Sequence, residues 1–453
     1  MTRRHVSIVM VSSHTEETTD RDQIRYYTIP MTAVLVAIDV AKSRNEVLIE
    51  MPGSRRRRRL TVANTRVEHD RFVAELQALA PRPVIVGFEP TGHYHRPLAW
   101  RLVQAGFDTR LISSVALART REALHNGWDK NDPKDAQVIL HMLQIGATKP
   151  YHDPLANRIN DVQELSVTHE VISRAKTEVQ HRILTHYLPL YFPEIDRFRG
   201  NTRSDWFFAL LEQFPVPASI TVLGKDAFVA AAWDVVGRKV SKSRLPGDIW
   251  DTARTSIALP IAPDAPAIGM FRLVLGEARR LIAQRDDIEA AAIELLGEHA
   301  DFRRLQQVPG IGPIHALTIL AEAGDLRRFR HHRQFLKFCG LDLSTYQSGQ
   351  YRGRTKLSRR GNARLRRTLW MAAQVAIRQR ENSFRDKFDR YVARDRHDPD
   401  LRRKAFTAIT AKMGRVVHAI IKRGDDYRPF VEGPVPGGGT PLTQCREGAL
   451  ATL

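Results

Sequence analysis

Two short apolar runs near the start of the chain both end on a carboxylate. AVLVAID (33–39) closes on Asp39 and VIVGFE (84–89) closes on Glu89. Runs this short, rich in Val and Ile, have strand character rather than helical character. EVLIEM (46–51) and RLTVAN (59–64) follow the first run at hairpin spacing, which predicts a three-stranded antiparallel meander. HRPLAWRLVQAG (95–106) has helical spacing and a glycine stop, and TRLIS (109–113) is a fifth strand. From Asp132 onward, DPKDAQVILHMLQIG is a helix with Pro133 in its first turn.

Three strands, a helix, a strand and a helix predict an α/β domain with a mixed sheet over residues 31–150, in the order of the RNase-H-like fold. A TIM barrel needs eight βα units and does not fit in that length. Residues 155–190 and 271–300 are helical in pattern. In the second stretch Val274, Ala278, Leu281, Ile288, Ala292 and Leu295 fall at a and d positions, with Arg285 the break in the stripe. Such a stripe suits a helix packed on its own chain or an intermolecular coiled coil, so 151–300 is expected to be a mostly α-helical, coiled-coil region. Residues 201–268 carry several Pro and Trp and give no clear pattern. Residues 301–430 form a second helical domain with a loop around 342–358; residues 1–30 and the Gly/Pro-rich 431–453 are expected to be disordered.

At 453 residues, 43 % of them apolar, the chain exceeds what one core organises. Its two cysteines exclude a disulfide framework or a four-Cys zinc site. The sequence offers neither a spanning apolar run nor a secretory signal, so a cytoplasmic protein with no membrane partner is expected. Seventy Lys+Arg against 50 Asp+Glu give a formal charge of +20, which favours nucleic acid as partner. The excess is localised. Residues 343–380 hold ten Lys/Arg and 51–67 hold six Arg, with no acid in either.

Four carboxylates stand out: Asp39, Glu89, Asp132 and Asp135. Asp39 and Glu89 each end a strand, and adjacent strands ending together would place both at one sheet edge; Asp132 and Asp135 share a helix face at i,i+3. Carboxylates brought together repel unless a cation sits among them, and Mg²⁺ or Mn²⁺ suits all-oxygen ligation. Two such ions stabilise the attacking and leaving oxygens at a phosphate. Each piece also has an ordinary local reading, because Asp closes turns and DPKD caps a helix.

In VPGIGPIHALTIL (308–320), Gly310 and Gly312 form a tight turn between helices. It is either the hairpin of a helix-hairpin-helix, with backbone N–H groups on a phosphate, or a simple connector. Further on, Ser348 precedes a glycine between Tyr346 and Tyr351, followed by Arg352, Arg354, Lys356, Arg359, Arg360, Arg364, Arg366 and Arg367. Cations around a serine lower its hydroxyl pKa and stabilise charge on a phosphoryl group, although most Ser-Gly pairs are plain loops. The arginines are expected phosphate contacts. So is the run Arg55, Arg56, Arg57, Arg58 and Arg59, at the expected tip between two strands. His93, His95, His331 and His332 have neither a catalytic partner nor metal-ligand spacing in the sequence.

Together IDVAK (38–42), FEPTGHY (88–94), KNDPKDA (130–136), VPGIGP, QSG and RRGNARLRRTLWMAA resemble the DEDD insertion-sequence transposases, which include Piv-type invertases and bridge-RNA-guided recombinases. The resemblance runs from about residue 31 to 425. It implies a RuvC-like N-terminal domain and a C-terminal transposase domain. Asp39 matches the first acid of that family, Glu89 the second, and Asp132 and Asp135 the last two; by resemblance these bind Mg²⁺. Ser348 matches the serine implicated there as the nucleophile, which forms a covalent phosphoserine link to DNA. The family further implies donor and target DNA, a structured guide RNA, and a homo-oligomer (dimer or tetramer) in which one protomer's acids face another's serine. Two departures stand out: a longer N-terminus, and ISSVA (112–116) where relatives carry Asn-Pro. The expected activity is DNA strand exchange. The rivals are a RuvC-like metal nuclease using water, with Ser348 a phosphate contact, and a non-catalytic nucleic-acid-binding protein.

Overall fold

The computed structural model describes residues 29–54, 56–125, 132–199, 206–237, 244–345, 347–348, 351–353 and 355–430. The expected disordered segments fall outside these, apart from residues 29 and 30. The chain divides into two compact units, one ending at Arg158 and the other beginning at Ile159.

The first unit runs β1 (Val34–Asp39), β2 (Arg44–Glu50), β3 (Arg57–Ala63), α1 (Arg66–Gln77), β4 (Val84–Phe88), α2 (Arg96–Gln104), β5 (Asp108–Leu111), α3 (Ser114–His125), α4 (Asp132–Gln144) and β6 (Lys149–Pro150). All six strands form one sheet in the order β3-β2-β1-β4-β5-β6. β1–β2 and β2–β3 are antiparallel, β1–β4 and β4–β5 are parallel, and β6 returns antiparallel. This mixed sheet, followed by helices, is compatible with the RNase-H-like expectation. The sequence pattern did not reveal α1, α3 or β6.

β1 sits inside the sheet, so both of its faces are covered and its residues read as an unbroken apolar run. Val34, Val36 and Ile38 enter the core beneath α1 and α2 with Phe72, Leu76 and Leu102. Leu35 and Ala37 enter the opposite core with Ile139 and Leu143 of α4.

The second unit is helical. It begins with α5 (Asn160–Arg182), which passes through a π-helical turn at Ile183–Tyr187 into α6 (Leu188–Tyr191). Within the obscure stretch 201–268 the described residues form α7 (Trp206–Gln213), α8 (Pro217–Thr221), α9 (Lys225–Val236) and α10 (Leu245–Arg254) before the next helix begins. Then come α11 (Pro266–Leu296), α12 (Ala300–Gln306), α13 (Pro313–Ala323) and α14 (His332–Cys339). Four two-residue strands, β7 (Leu343–Ser344), β8 (Gln347–Ser348), β9 (Tyr351–Arg352) and β10 (Lys356–Leu357), separate α14 from α15 (Ala363–Arg378), α16 (Ser383–Val392) and α17 (Pro399–Arg423).

Residues from the expected middle and C-terminal regions share this unit. Val162, Ala292 and Leu296 join the core of α12–α17, whereas Phe271, Leu275, Ala278 and Ile282 join the core around α7–α10. α5 and α11 therefore run through both cores. They are antiparallel, since Tyr187 stacks on Phe271 with ring centroids 4.9 Å apart and His169 lies 3.4 Å from Glu289. The heptad expectation needs correction here. The buried line on α11 includes Leu275, Ala278, Ile282, Arg285, Ala292 and Leu296, while Leu295 is exposed. That line packs on the helix's own chain, and it keeps alternating steps of three and four, but one of its two sets falls a residue later than expected, at Leu275, Ile282 and Leu296. Arg285, the apparent break, lies inside the line. Among the described residues no helix is long and apolar enough to cross a membrane.

Candidate active-site edge and nucleic-acid contacts

The register of β1 on β4 sets the geometry of the first two acids. The last registered pair is Ile38 with Phe88, so Asp39 and Glu89 follow side by side at the carboxyl edge of two parallel strands. Ligand chemistry in open α/β sheets gathers at that edge. Alternation along β1 turns Asp39 toward the face of Leu35 and Ala37, which α4 covers.

α4 brings the other two acids to the same end. Its last residue, Gln144, donates from Nε2 to Glu50 Oε1 at 2.5 Å, and Glu50 is registered with Leu35 near the start of β1. The helix therefore runs against β1 and begins at the Asp39 end. From Gln144 back to Asp135 is about 13.5 Å of helix, and from Leu35 to Asp39 is about 13 Å of strand. Asp135 therefore lies near the level of Asp39. The close approach depends on Gly87, where a Cβ would stand 2.7 Å from Cδ2 of Leu143.

The Asp135 side chain is only 3 % exposed and accepts a hydrogen bond from Arg121 Nε of α3 at 2.5 Å. Arg121 escaped the sequence reading because nothing in the one-dimensional pattern joins it to Asp135. The Asp132 backbone opens α4, and its side chain lies outside the described residues. Among the described residues no three His, Cys, Asp or Glu side chains stand together as a metal cluster. The donor chemistry nevertheless fits a hard divalent cation: the acids at this edge offer only carboxylate oxygen, and Arg121 engages one oxygen of Asp135 through Nε. His95 sits behind the edge, its ring 5.6 Å from that of Phe88 and 5.9 Å from that of Tyr151. Burial lowers its pKa, so it serves this packing as a neutral ring.

The serine segment is a pair of nested ladders. β7 pairs with β10, with Leu343 opposite Leu357 and Ser344 opposite Lys356. Beyond them β8 pairs with β9, with Ser348 opposite Tyr351. Below the outer ladder, Ser358 N donates to Asp342 O at 2.9 Å, and the Ser358 hydroxyl bonds the Asp342 carboxylate. The side chains of Ser348 and Arg352, and all of Arg354, lie outside the described residues.

The basic residues divide into two kinds. Arg57, Arg58 and Arg59 do not occupy a loop tip; they lie in β3 and pair with Glu50, Glu75 and Glu46 from β2 and α1. The acid-free stretch in sequence is thus partly neutralised in space. Arg56 is exposed beside the turn, and Arg55 lies outside the described residues. Arg364 is held by Glu170 and Glu322, and Arg366 donates to the carbonyl of Cys339. Those two arginines pin α15 to its neighbours. Lys356, Arg359, Arg360 and Arg367 are exposed.

The glycine turn is also partly structural. Gly310 has φ +87°, and a Cβ there would stand 2.1 Å from the Ala372 carbonyl oxygen of α15. Gly312 caps the start of α13.

Two stretches of the chain match the models of known protein families. Residues 36–193 match the model of the DEDD transposase domain of the IS110 type, and residues 302–389 match that of the transposase IS116/IS110/IS902 family. The chain carries DEDD transposase domains of the IS110/IS116 family. It is 28 % identical over 177 residues to a transposase for insertion sequence element IS1111A from Coxiella burnetii, covering 38 % of this chain and 48 % of that protein. It is 33 % identical to a probable family 20 transposase from Pseudomonas aeruginosa, over 39 % of this chain and 52 % of the other. It is 27 % identical to the insertion element IS110 uncharacterized 43.6 kDa protein of Streptomyces coelicolor, over 74 % and 80 %. The chain thus spans about half the length of the first two of these relatives.

Proposed function

We propose that this protein is an insertion-element DNA transposase that cleaves and rejoins strands through Ser348. The observation that carries the reading is the pairing of Ile38 with Phe88, from which Asp39 and Glu89 emerge together at the edge where α4 begins. Asp39, Glu89, Asp132 and Asp135 would hold Mg²⁺ or Mn²⁺, which when bound neutralises charge on a phosphodiester. The Ser348 hydroxyl attacks phosphorus and loses its proton. An O–P bond forms, the bond to one sugar oxygen breaks, and that oxygen leaves as a hydroxyl once protonated. The serine phosphodiester keeps the bond energy, so a sugar hydroxyl of another strand reverses the step and rejoins the DNA. Exposed Lys356, Arg359, Arg360 and Arg367, with Arg352 and Arg354 of the same arm, bind backbone phosphates. A structured guide RNA and a homo-oligomer, dimer or tetramer, complete the proposal.

The test is a reaction with element-end DNA and Mg²⁺, stopped under denaturing conditions. A DNA-linked protein species that disappears in Ser348→Ala, with nucleic-acid binding retained, supports the reading. Cleavage by Ser348→Ala without an adduct assigns the chemistry to water instead. Activity unchanged in Asp39→Asn removes the acidic edge from the mechanism.

A further inference from the structure

The second unit contains a cavity of about 620 Å³ between α5, α7, α11 and the turn at Gly310–Gly312. Its size suits a nucleotide rather than a lone ion. Three cations from three separate elements line it: Lys176 of α5, Arg199 after the 3-10 turn that follows α6, and Arg285 of α11. Among the described residues Glu289 is the one lining acid, 3.4 Å from His169 and 3.8 Å from Arg285, while Arg199 pairs with Asp196 at 3.0 Å. Arg285 is the telling member. Its side chain is 8 % exposed and sits within the apolar line of α11, bonded to Asp286. A guanidinium in a packed helix face is costly where an apolar side chain would serve. Gly312 and Pro313 bring the start of the eleven-residue helix α13 to the same wall, adding its positive end.

We propose that this cavity binds one nucleotide unit of the protein's nucleic acid, its phosphate held by Lys176, Arg199 and Arg285. The inference rests on the nucleic-acid-binding part of the proposed function, and none of these cations belongs to the serine arm or the acidic edge. The expected phosphate contact of the glycine turn is then made from within a pocket. Gly310 packs the turn against α15, and Gly312 opens it toward the ligand.

The experiment uses the full chain and the variant K176Q/R199Q, two half-buried cations whose loss leaves the cores untouched. Binding to an oligonucleotide, with and without a 5′-phosphate, is measured across a salt series. Loss of one phosphate contact lowers the slope of log affinity against log salt by about 0.7 for single strands or about 0.9 for duplex. That decrease is expected in K176Q/R199Q, with an unchanged melting temperature. A decrease with both oligonucleotides identifies an internal phosphodiester, and one confined to the phosphorylated strand identifies an end; either supports the site. Arg280→Gln, which removes an exposed cation paired with Glu277, is the control and keeps the wild-type slope. An unchanged slope in K176Q/R199Q overturns the proposal, whether or not the melting temperature falls. R285Q is a second variant; a lower melting temperature with the wild-type slope makes Arg285 a purely structural ion pair and overturns its part. If the wild-type chain binds no nucleic acid, the nucleic-acid reading fails as well, which separates the two results.

Discussion

Arg121 Nε lies 2.5 Å from Asp135 Oδ1, joining α3 to the first turns of α4. The contact fixes the rotation of a buried carboxylate at the acidic edge. A carboxylate held through one oxygen presents the other in a defined direction, and such supporting bonds raise metal affinity by about 10–100-fold. Arg121→Ala is therefore expected to weaken Mn²⁺ binding by that factor, measured by electron paramagnetic resonance of free ion, with Arg121→Lys intermediate. Tighter Mn²⁺ binding in Arg121→Ala would instead make Arg121 a competitor for Asp135.

Gly87 and Leu143 set how closely α4 lies on the sheet. An alanine at Gly87 would drive its Cβ into the Leu143 side chain, and overpacking of this kind costs about 1–3 kcal/mol. Gly87→Ala is expected to lower stability in urea denaturation by that amount. Adding Leu143→Ala should recover part of the loss, a coupling that a double-mutant cycle reads directly.

Two glycines of the second unit permit backbone contact. Gly310 meets the Ala372 carbonyl, and a Cβ on Gly361 would stand 2.4 Å from the Phe338 carbonyl oxygen. Neither neighbour is a flexible side-chain end. Gly310→Ala and Gly361→Ala should each cost more than about 3 kcal/mol, since backbone must shift in both and Gly310 adds a positive φ. Melting temperature is the measurement. Loss of DNA binding in either variant would follow from unfolding, so the cavity is tested at its cations.

Asp301 anchors α12. Its side chain is 8 % exposed and bonds Arg327 at 2.7 Å and Arg304 at 3.1 Å. Burial pushes its carboxyl pKa up, but the bonds to Arg327 outweigh that and hold it below the ordinary range. A native carboxyl harder to protonate than the unfolded one stabilises the fold above the unfolded pKa, near about 4. That contribution is lost as pH falls from there through the native value. Asp301→Asn is expected to cost about 1–3 kcal/mol at neutral pH and to flatten the acid limb of stability against pH.

The acid-ended strands were legible because burial on both faces of β1 and β4 leaves an unbroken apolar signature. The helix carrying Asp132 and Asp135 was legible through its proline start and apolar period. α1 was missed although Thr65, which accepts from Glu68 N, begins a Thr-x-x-Glu capping pattern; its sparse apolar positions hid the period. The basic stretches misled for a different reason. Charge counted along the chain ignores partners across a sheet, and Arg57, Arg58 and Arg59 meet acids of β2 and α1. In RRGNARLRR likewise, Gly361, Asn362 and Arg364 serve close packing: Asn362 caps α15 and bonds Glu322 at 2.5 Å. The Arg121–Asp135 pair could not be read at all, because it depends on where two helices meet.

The nested ladders also set a leash. The outer pairing of Ser344 with Lys356 closes the arm at its base, on the segment joining α14 to α15. Four residues carry the chain from Ser344 to Ser348, which spans at most about 14 Å when fully extended. On the proposed mechanism Ser348 cannot search for a distant phosphate; the scissile bond must be delivered into a small sphere around that base. Residues inserted between the two ladders would widen the sphere and relax the choice of phosphodiester, so target fidelity becomes a matter of tether length as well as of recognition.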